Sequence, residues 1–246
     1  MSAPKRWLVL VVSVLLPAGG ARAQSGDYKQ MAEAYFMGAS MSGTVGVGQA
    51  EGEIDVPSSS IFSNLKFAVL ADYRGETKAW AVQADVVYMN LGAAGSTDGG
   101  RVSVDVGAEE FVGELVGAYR VSKSFEVLGG GRYTNLSTTA TTYGPSGARE
   151  VKGSKGWFDP ILGVQAFLPL GKGFQFQFRG DIGGFGAGCK FTWQVTGRVN
   201  WQASKSFRLG VGYRWLQQDY ETGSGSDTFK WNVLSQGPIL AAGVTF

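Results

Sequence analysis

Strict alternation of apolar and polar residues, repeated in segment after segment, is what most constrains this chain. From Lys190 to Trp201, one face carries Phe191, Trp193, Val195, Val199 and Trp201, and the other Lys190, Thr192, Gln194, Thr196, Arg198 and Asn200. Phe207 to Trp215 sets Phe207, Leu209, Val211, Tyr213 and Trp215 against Arg208, Gly210, Gly212 and Arg214. Phe174 to Ile182 sets three phenylalanines and Ile182 against Gln175, Gln177, Arg179 and Asp181. A period of two marks a strand with two unlike faces. Weaker alternation marks seven more strands at about 35–48, 65–74, 78–92, 101–121, 124–138, 155–169 and 228–246. The reading is therefore all-β with ten strands. Eight or twelve stay open, because the first 65 residues alternate poorly. The 38 glycines and 13% aromatic content suit strands and tight turns rather than a helical bundle.

The connections alternate in length. Short turns are expected at Gly75-Glu76, Ser122–Ser124, Gly171–Gly173 and Ser204–Ser206, and longer loops at 49–64, 93–100, 139–154, 183–189 and 222–227. Short turns at one end and long loops at the other are the pattern of an up-and-down transmembrane β-barrel. Aromatic pairs support this over a soluble barrel. Trp80/Tyr88, Phe111/Tyr119, Phe125/Tyr133, Trp193/Trp201 and Phe207/Trp215 are each eight residues apart and so share a face. Eight residues of tilted strand rise about 20 Å, near the height of an apolar band between two aromatic girdles. These ten aromatics are the expected lipid-facing girdle. A soluble exported barrel is the alternative, with its apolar face inward.

The opposite face collects Lys66, Arg120, Arg132, Arg179, Lys190, Arg198, Arg208 and Arg214, with Asp72, Asp85, Glu114, Glu126, Asp159 and Asp181. These are the expected lumen-lining residues. Charges enclosed there must pair and hydrogen-bond. The slight basic excess predicts a mild anion preference for any pore.

The C-terminal half resembles a largely uncharacterised family of small outer-membrane β-barrel proteins of Gram-negative bacteria, OmpA- and OmpW-like single barrels. The residues that carry the likeness are Trp157-Phe158-Asp159-Pro160, Arg179–Gly186, Phe191–Gln194, Gly212–Leu216 with Asp219-Tyr220, and Gly237-Pro238 through Phe246. A weaker echo lies at Asp55-Val56 and Phe62–Leu65. The resemblance covers about 55–246 and implies a single outer-membrane barrel with no reaction assigned. The terminal Phe246, on a face with Leu240 and Val244, resembles the signal read by the outer-membrane assembly machinery.

Export is expected from the N-terminus. Lys5 and Arg6 precede an apolar run from Trp7 to Leu16, and Ala21-Arg22-Ala23 follows. This reads as a signal peptide over 1–23, with one barrel domain over 24–246. Cleavage would leave 19 of the 22 basic residues against 20 acidic ones.

Other motifs have plainer readings. Arg179-Gly180-Asp181 spells an adhesive tripeptide, yet alternation puts it in a strand. The glycines from Gly183 to Gly188 precede a strand and not a helix, so a flexible outer loop is expected rather than a phosphate site. Gly129–Gly131 suggests close backbone approach. Cys189 has no partner thiol and reads as structural. Ser58–Ser60 is expected to cap a short helical turn. The chain has no histidine, which excludes Ser-His catalysis and His-ligated metal. A formal charge of +2 implies no nucleic-acid surface. No cofactor and no enzymatic activity are expected. A filled structural barrel, a narrow pore for small hydrophilic solutes, and a receptor or adhesin acting through loops 49–64 and 139–154 remain open.

Inversion of the usual alternation can be tested by labelling in membranes. Val195→Cys is expected to resist a water-soluble thiol reagent and Thr196→Cys to react; equal labelling would contradict the membrane arrangement.

Overall fold

The computed structural model describes residues 28–97, 102–144 and 147–246. The expected signal segment, 1–23, lies outside them. The described residues form twelve strands, one short α-helix and a single 3-10 turn at Gly225–Asp227. They are β1 (Lys29–Met37), β2 (Ser40–Val47), β3 (Ala50–Val56), α1 (Ser58–Asn64), β4 (Leu65–Glu76), β5 (Trp80–Thr97) and β6 (Val102–Ser122). After these come β7 (Phe125–Gly144), β8 (Gly147–Gly171), β9 (Phe174–Gly183), β10 (Phe191–Gln202), β11 (Phe207–Thr222) and β12 (Phe229–Thr245). β1 and β4 to β12 pair in order, all antiparallel, and β12 pairs back onto β1, closing a ten-strand up-and-down barrel. The remaining two, β2 and β3, lie outside the ring: β2 pairs the first half of β12, and β3 pairs β2.

The ten-strand reading holds, with differences at its weakest stretch. The strand expected at 35–48 is two strands, and β1 begins earlier, at Lys29. The break at Gly38-Ala39 lies opposite Gly237-Pro238. Pro238 has no N–H to give to the ladder. Its carbonyl accepts from the Gly38 N–H at 2.9 Å instead. The loop expected at 49–64 is ordered as β3 and α1. The loop expected at 139–154 is the top of a long β7–β8 hairpin, paired as far as Gly144 and Gly147. Its threonines at 138, 139, 141 and 142 are polar but β-branched, and so favour strand. The turn expected at Gly75-Glu76 sits two residues later, where Thr77 Oγ1 accepts from the N–H groups of Ala79 and Trp80.

Close strand contact explains the glycine run. A Cβ on Gly130 would meet the Leu115 carbonyl oxygen at 2.1 Å, and one on Gly131 would strike the Phe158 ring at 2.2 Å. The first lets β6 and β7 approach, and the second lets an outward aromatic lie flat on the wall.

Helix α1 bridges from β3 to the start of β4, where β4 is no longer paired with β1. Pro57 is its N-cap, with its carbonyl accepting from Ser60 and Ile61; the serines expected to cap it make no such bond. Ile61 is buried against Met41, Val87, Met89, Val112 and Val233, while Phe62 stacks on the outward Phe36 at 5.2 Å. About two turns of helix therefore cover the seam with an apolar layer. Ile61→Ala should lower the unfolding free energy of the refolded barrel by about 2–5 kcal/mol. Tryptophan fluorescence against urea measures this, and an unchanged midpoint would mean that α1 seals nothing.

Candidate functional site: the charged interior

The barrel wall presents every second residue inward, so each charged side chain is placed by strand register. At the short-turn end, Arg74 and Arg120 share Glu76 and Glu126. The contacts are Arg74 to Glu76 at 2.8 Å, Arg74 to Glu126 at 2.7 Å, Arg120 to Glu76 at 2.8 Å and Arg120 to Glu126 at 3.0 Å. Arg74 also lies 5.1 Å over the Phe167 ring. Beside them, Arg198 meets Glu33 at 2.8 Å and Arg208 approaches it at 3.6 Å. Gln177 accepts from both arginines at 3.1 Å.

Higher up, two arginines and two acids from three strands, β6, β7 and β9, form a closed ring. Arg132 meets Glu114 at 2.9 Å and Asp181 at 2.7 Å, and Arg179 meets Asp181 at 3.0 Å and Glu114. Arg132 is 0% exposed. Across the lumen, Arg214 contacts Asp85 at 3.2 Å and donates to the Tyr35 hydroxyl at 2.9 Å and to Gln194 at 2.9 Å. The Tyr35 hydroxyl in turn donates to Asp85. Arg179 and Asp181 of the adhesive-looking tripeptide are thus interior.

Above the ring the interior is filled. The Ile61 layer occupies one side. On the other, Trp157 stacks on Tyr220 at 4.2 Å, and Gln218 donates to Thr134 at 2.7 Å. Asp159, paired in register with Arg132, accepts the Cys189 N–H at 2.6 Å. The segment 184–189, expected as a flexible loop, is tied down by this bond and by Gly186 N–H to Cys189 O at 3.0 Å. Cys189 is fully buried, and burial, then the nearby Asp159, pushes its thiol up, so it is poorly reactive. Below the ring lies a cavity of about 440 Å³ that reaches the short-turn end through Lys29, Lys123, Gln202 and Thr245.

Two expected lumenal residues lie elsewhere. A register shift between Leu65 and Phe67 turns Lys66 to the outer side, where its stem lies across Gly92 in a recess shared with Asn90, Thr139 and Lys152. Lys190 precedes β10 at the upper rim, where it pairs with Glu221 at 2.5 Å and holds that carboxyl below its usual value. The sequence reading missed Glu33, Tyr35, Arg74, Glu76 and Glu110, all inward. Starting the alternation at Lys29 would have found Glu33 and Tyr35. Three acids enter the lumen with Arg74, Lys29 and Lys123, and two lysines leave it, so acids and bases balance and the basic excess on which the anion preference rested is absent.

The ten girdle aromatics all lie at outward register positions, in two tiers. Trp80 and Tyr119 pack at 4.7 Å in the lower tier, near Phe125, Phe207 and the Phe174–Trp201 stack. Tyr88, Phe111, Tyr133, Trp193 and Trp215 make the upper one. Between the tiers are exposed apolar side chains such as Leu115, Leu162 and Leu240, each about 60% exposed. An apolar, aromatic-ringed exterior around a charged interior defines a barrel of the small transmembrane type.

No family model and no curated protein matches the chain. Its fold is similar to solved barrels. One is Ail, the attachment invasion locus protein of Yersinia pestis, in complex with the heparin analogue sucrose octasulfate (12% identity, 89% of this chain and 99% of that one, TM-score 0.41). Another is the outer membrane protease OmpT from Escherichia coli (10%, 89% and 96%, TM-score 0.49). A third is the translocator domain of autotransporter NalP from Neisseria meningitidis (12%, 92% and 91%, TM-score 0.44). At these identities and scores the likenesses assign nothing to this chain.

The ring should dominate stability. Arg132→Ala leaves two buried carboxylates short of a partner and should cost about 3–5 kcal/mol. Lys152→Ala breaks an exposed pair with Glu150 and should leave the urea midpoint almost unmoved. Equal shifts in the two variants would contradict the ring's role.

Proposed function

We propose that the chain is an integral outer-membrane barrel of a Gram-negative bacterium that acts as a closed scaffold and forms no through-pore. The observation that carries this reading is the packed upper interior, which the four-membered ion-pair ring, the Ile61 layer and the Trp157–Tyr220 stack occupy above mid-height. The exposed apolar band supports lipid as its surroundings over a soluble barrel, since such an area in water would be an aggregation hazard. Phe246 exchanges two backbone hydrogen bonds of 3.0 Å with Gln30 and ends the closing strand. This supports the terminal strand as the segment read by the assembly machinery.

The strands β6 to β8 favour a surface role for the scaffold. Above Tyr133 the β7–β8 hairpin continues for eleven residues to Gly144, about 28 Å of rise at the usual tilt. A paired, threonine-rich blade of that height suits contact with an external partner better than gating.

Vesicles holding the refolded barrel should swell in isotonic arabinose no faster than protein-free vesicles. Swelling at the rate of a general porin would overturn the closed reading.

A further inference from the structure

The cavity below the ring has polar groups that the fold leaves unused. Arg74, Gln83 and Gln165 are each at least nine-tenths buried, and all three line it. Arg74 spends Nε and Nη2 on Glu76 and Glu126, leaving Nη1 without a partner. Gln83 and Gln165 touch each other at 3.4 Å through one amide atom apiece, leaving Gln83 Oε1 and Gln165 Nε2 unsatisfied. Asp72 lines the same cavity and makes no hydrogen bond or ion pair within the described residues. Buried polar atoms are seldom left orphaned, because each costs its full desolvation. Three such atoms and one half-buried, unpaired carboxylate around one open cavity are the groups of a built binding site.

Their chemistry comes in two signs. Arg74 Nη1 and Gln165 Nε2 donate and suit a carboxylate. The Asp72 carboxylate and Gln83 Oε1 accept and suit a protonated amine. Asp72 and Arg74 are two apart on β4, so they point the same way about 7 Å from each other along the strand. That spacing matches the two ends of a short peptide better than a simple anion or cation. The cavity of about 440 Å³ lies within the usual range for small-molecule sites. Lys29 and Lys123 at its mouth can steer an anionic end inward.

We propose that the cup is a binding site, entered from the short-turn end, for a small zwitterion of dipeptide size. Its carboxylate sits on Arg74 and Gln165 and its ammonium on Asp72. This rests on closure of the upper interior, which makes the cup one-ended.

Isothermal titration of the refolded barrel in micelles with glycylglycine tests it, with acetate and methylamine as controls. The expected result is one saturable site for glycylglycine and much weaker binding of either control. Asp72→Asn and Gln165→Leu should each weaken binding about tenfold or more. Asp72 holds no other group, so Asp72→Asn should fold normally, and a heat-dependent gel shift checks this. Absent glycylglycine binding, an unaffected Asp72→Asn, or acetate binding equally well would each overturn the site. The swelling assay on the same preparation separates the two claims. A barrel that stays closed without binding loses only the cup, whereas one that swells loses the closed scaffold.

Discussion

An arginine keeps its charge in any protein interior, so a barrel lined with arginine must supply a carboxylate for each one it encloses. That constraint organises this lumen. Arg132 contacts Glu114 from the neighbouring strand and Asp181 from across the wall, and Arg179 closes the ring on the same two acids. Each carboxylate serves two guanidinium groups, so removing any member leaves its two neighbours with one partner instead of two. A network of this kind ties β6, β7 and β9 together through the interior. It also occupies the volume that a water column would need.

The exterior follows from the same alternation with the opposite sign. Every second residue that does not enter the network faces out, and there the chain places aromatics in two tiers with aliphatic residues between. Wall and filling also meet at the glycines. Gly131 is bare so that Phe158 can lie against the sheet, and Gly130 is bare so that two strands can touch. The one irregular stretch, from β2 to α1, is where the wall opens on its upper side, and Ile61 closes it with apolar contacts.

Most of this was legible wherever alternation was strict. The β9, β10 and β11 segments, their inward arginines and the outward aromatic pairs could be read directly, because period two splits each strand into two unlike faces and the spaced aromatics mark the one that faces lipid. Local exceptions escaped the pattern. Lys66 is turned outward by a register shift that no periodicity records, and Pro238 breaks a strand located two hundred residues away in sequence. Arg74 and Glu76 were hidden by Gly75, which reads as a turn but lies in a strand. The 139–154 stretch reads as a loop because its residues are polar, although threonine suits a strand in water. The ring itself was not legible: alternation says that Arg132 and Asp181 face inward, not that they meet.

The central claim is that the paired charges and the Ile61 layer close the barrel. Single-channel recording of the refolded barrel in a planar bilayer tests it most directly. Incorporated protein, verified by its gel shift, should give no discrete conductance steps. Reproducible steps from the folded barrel would mean that a water path runs past the Arg132 ring, and the account would be wrong.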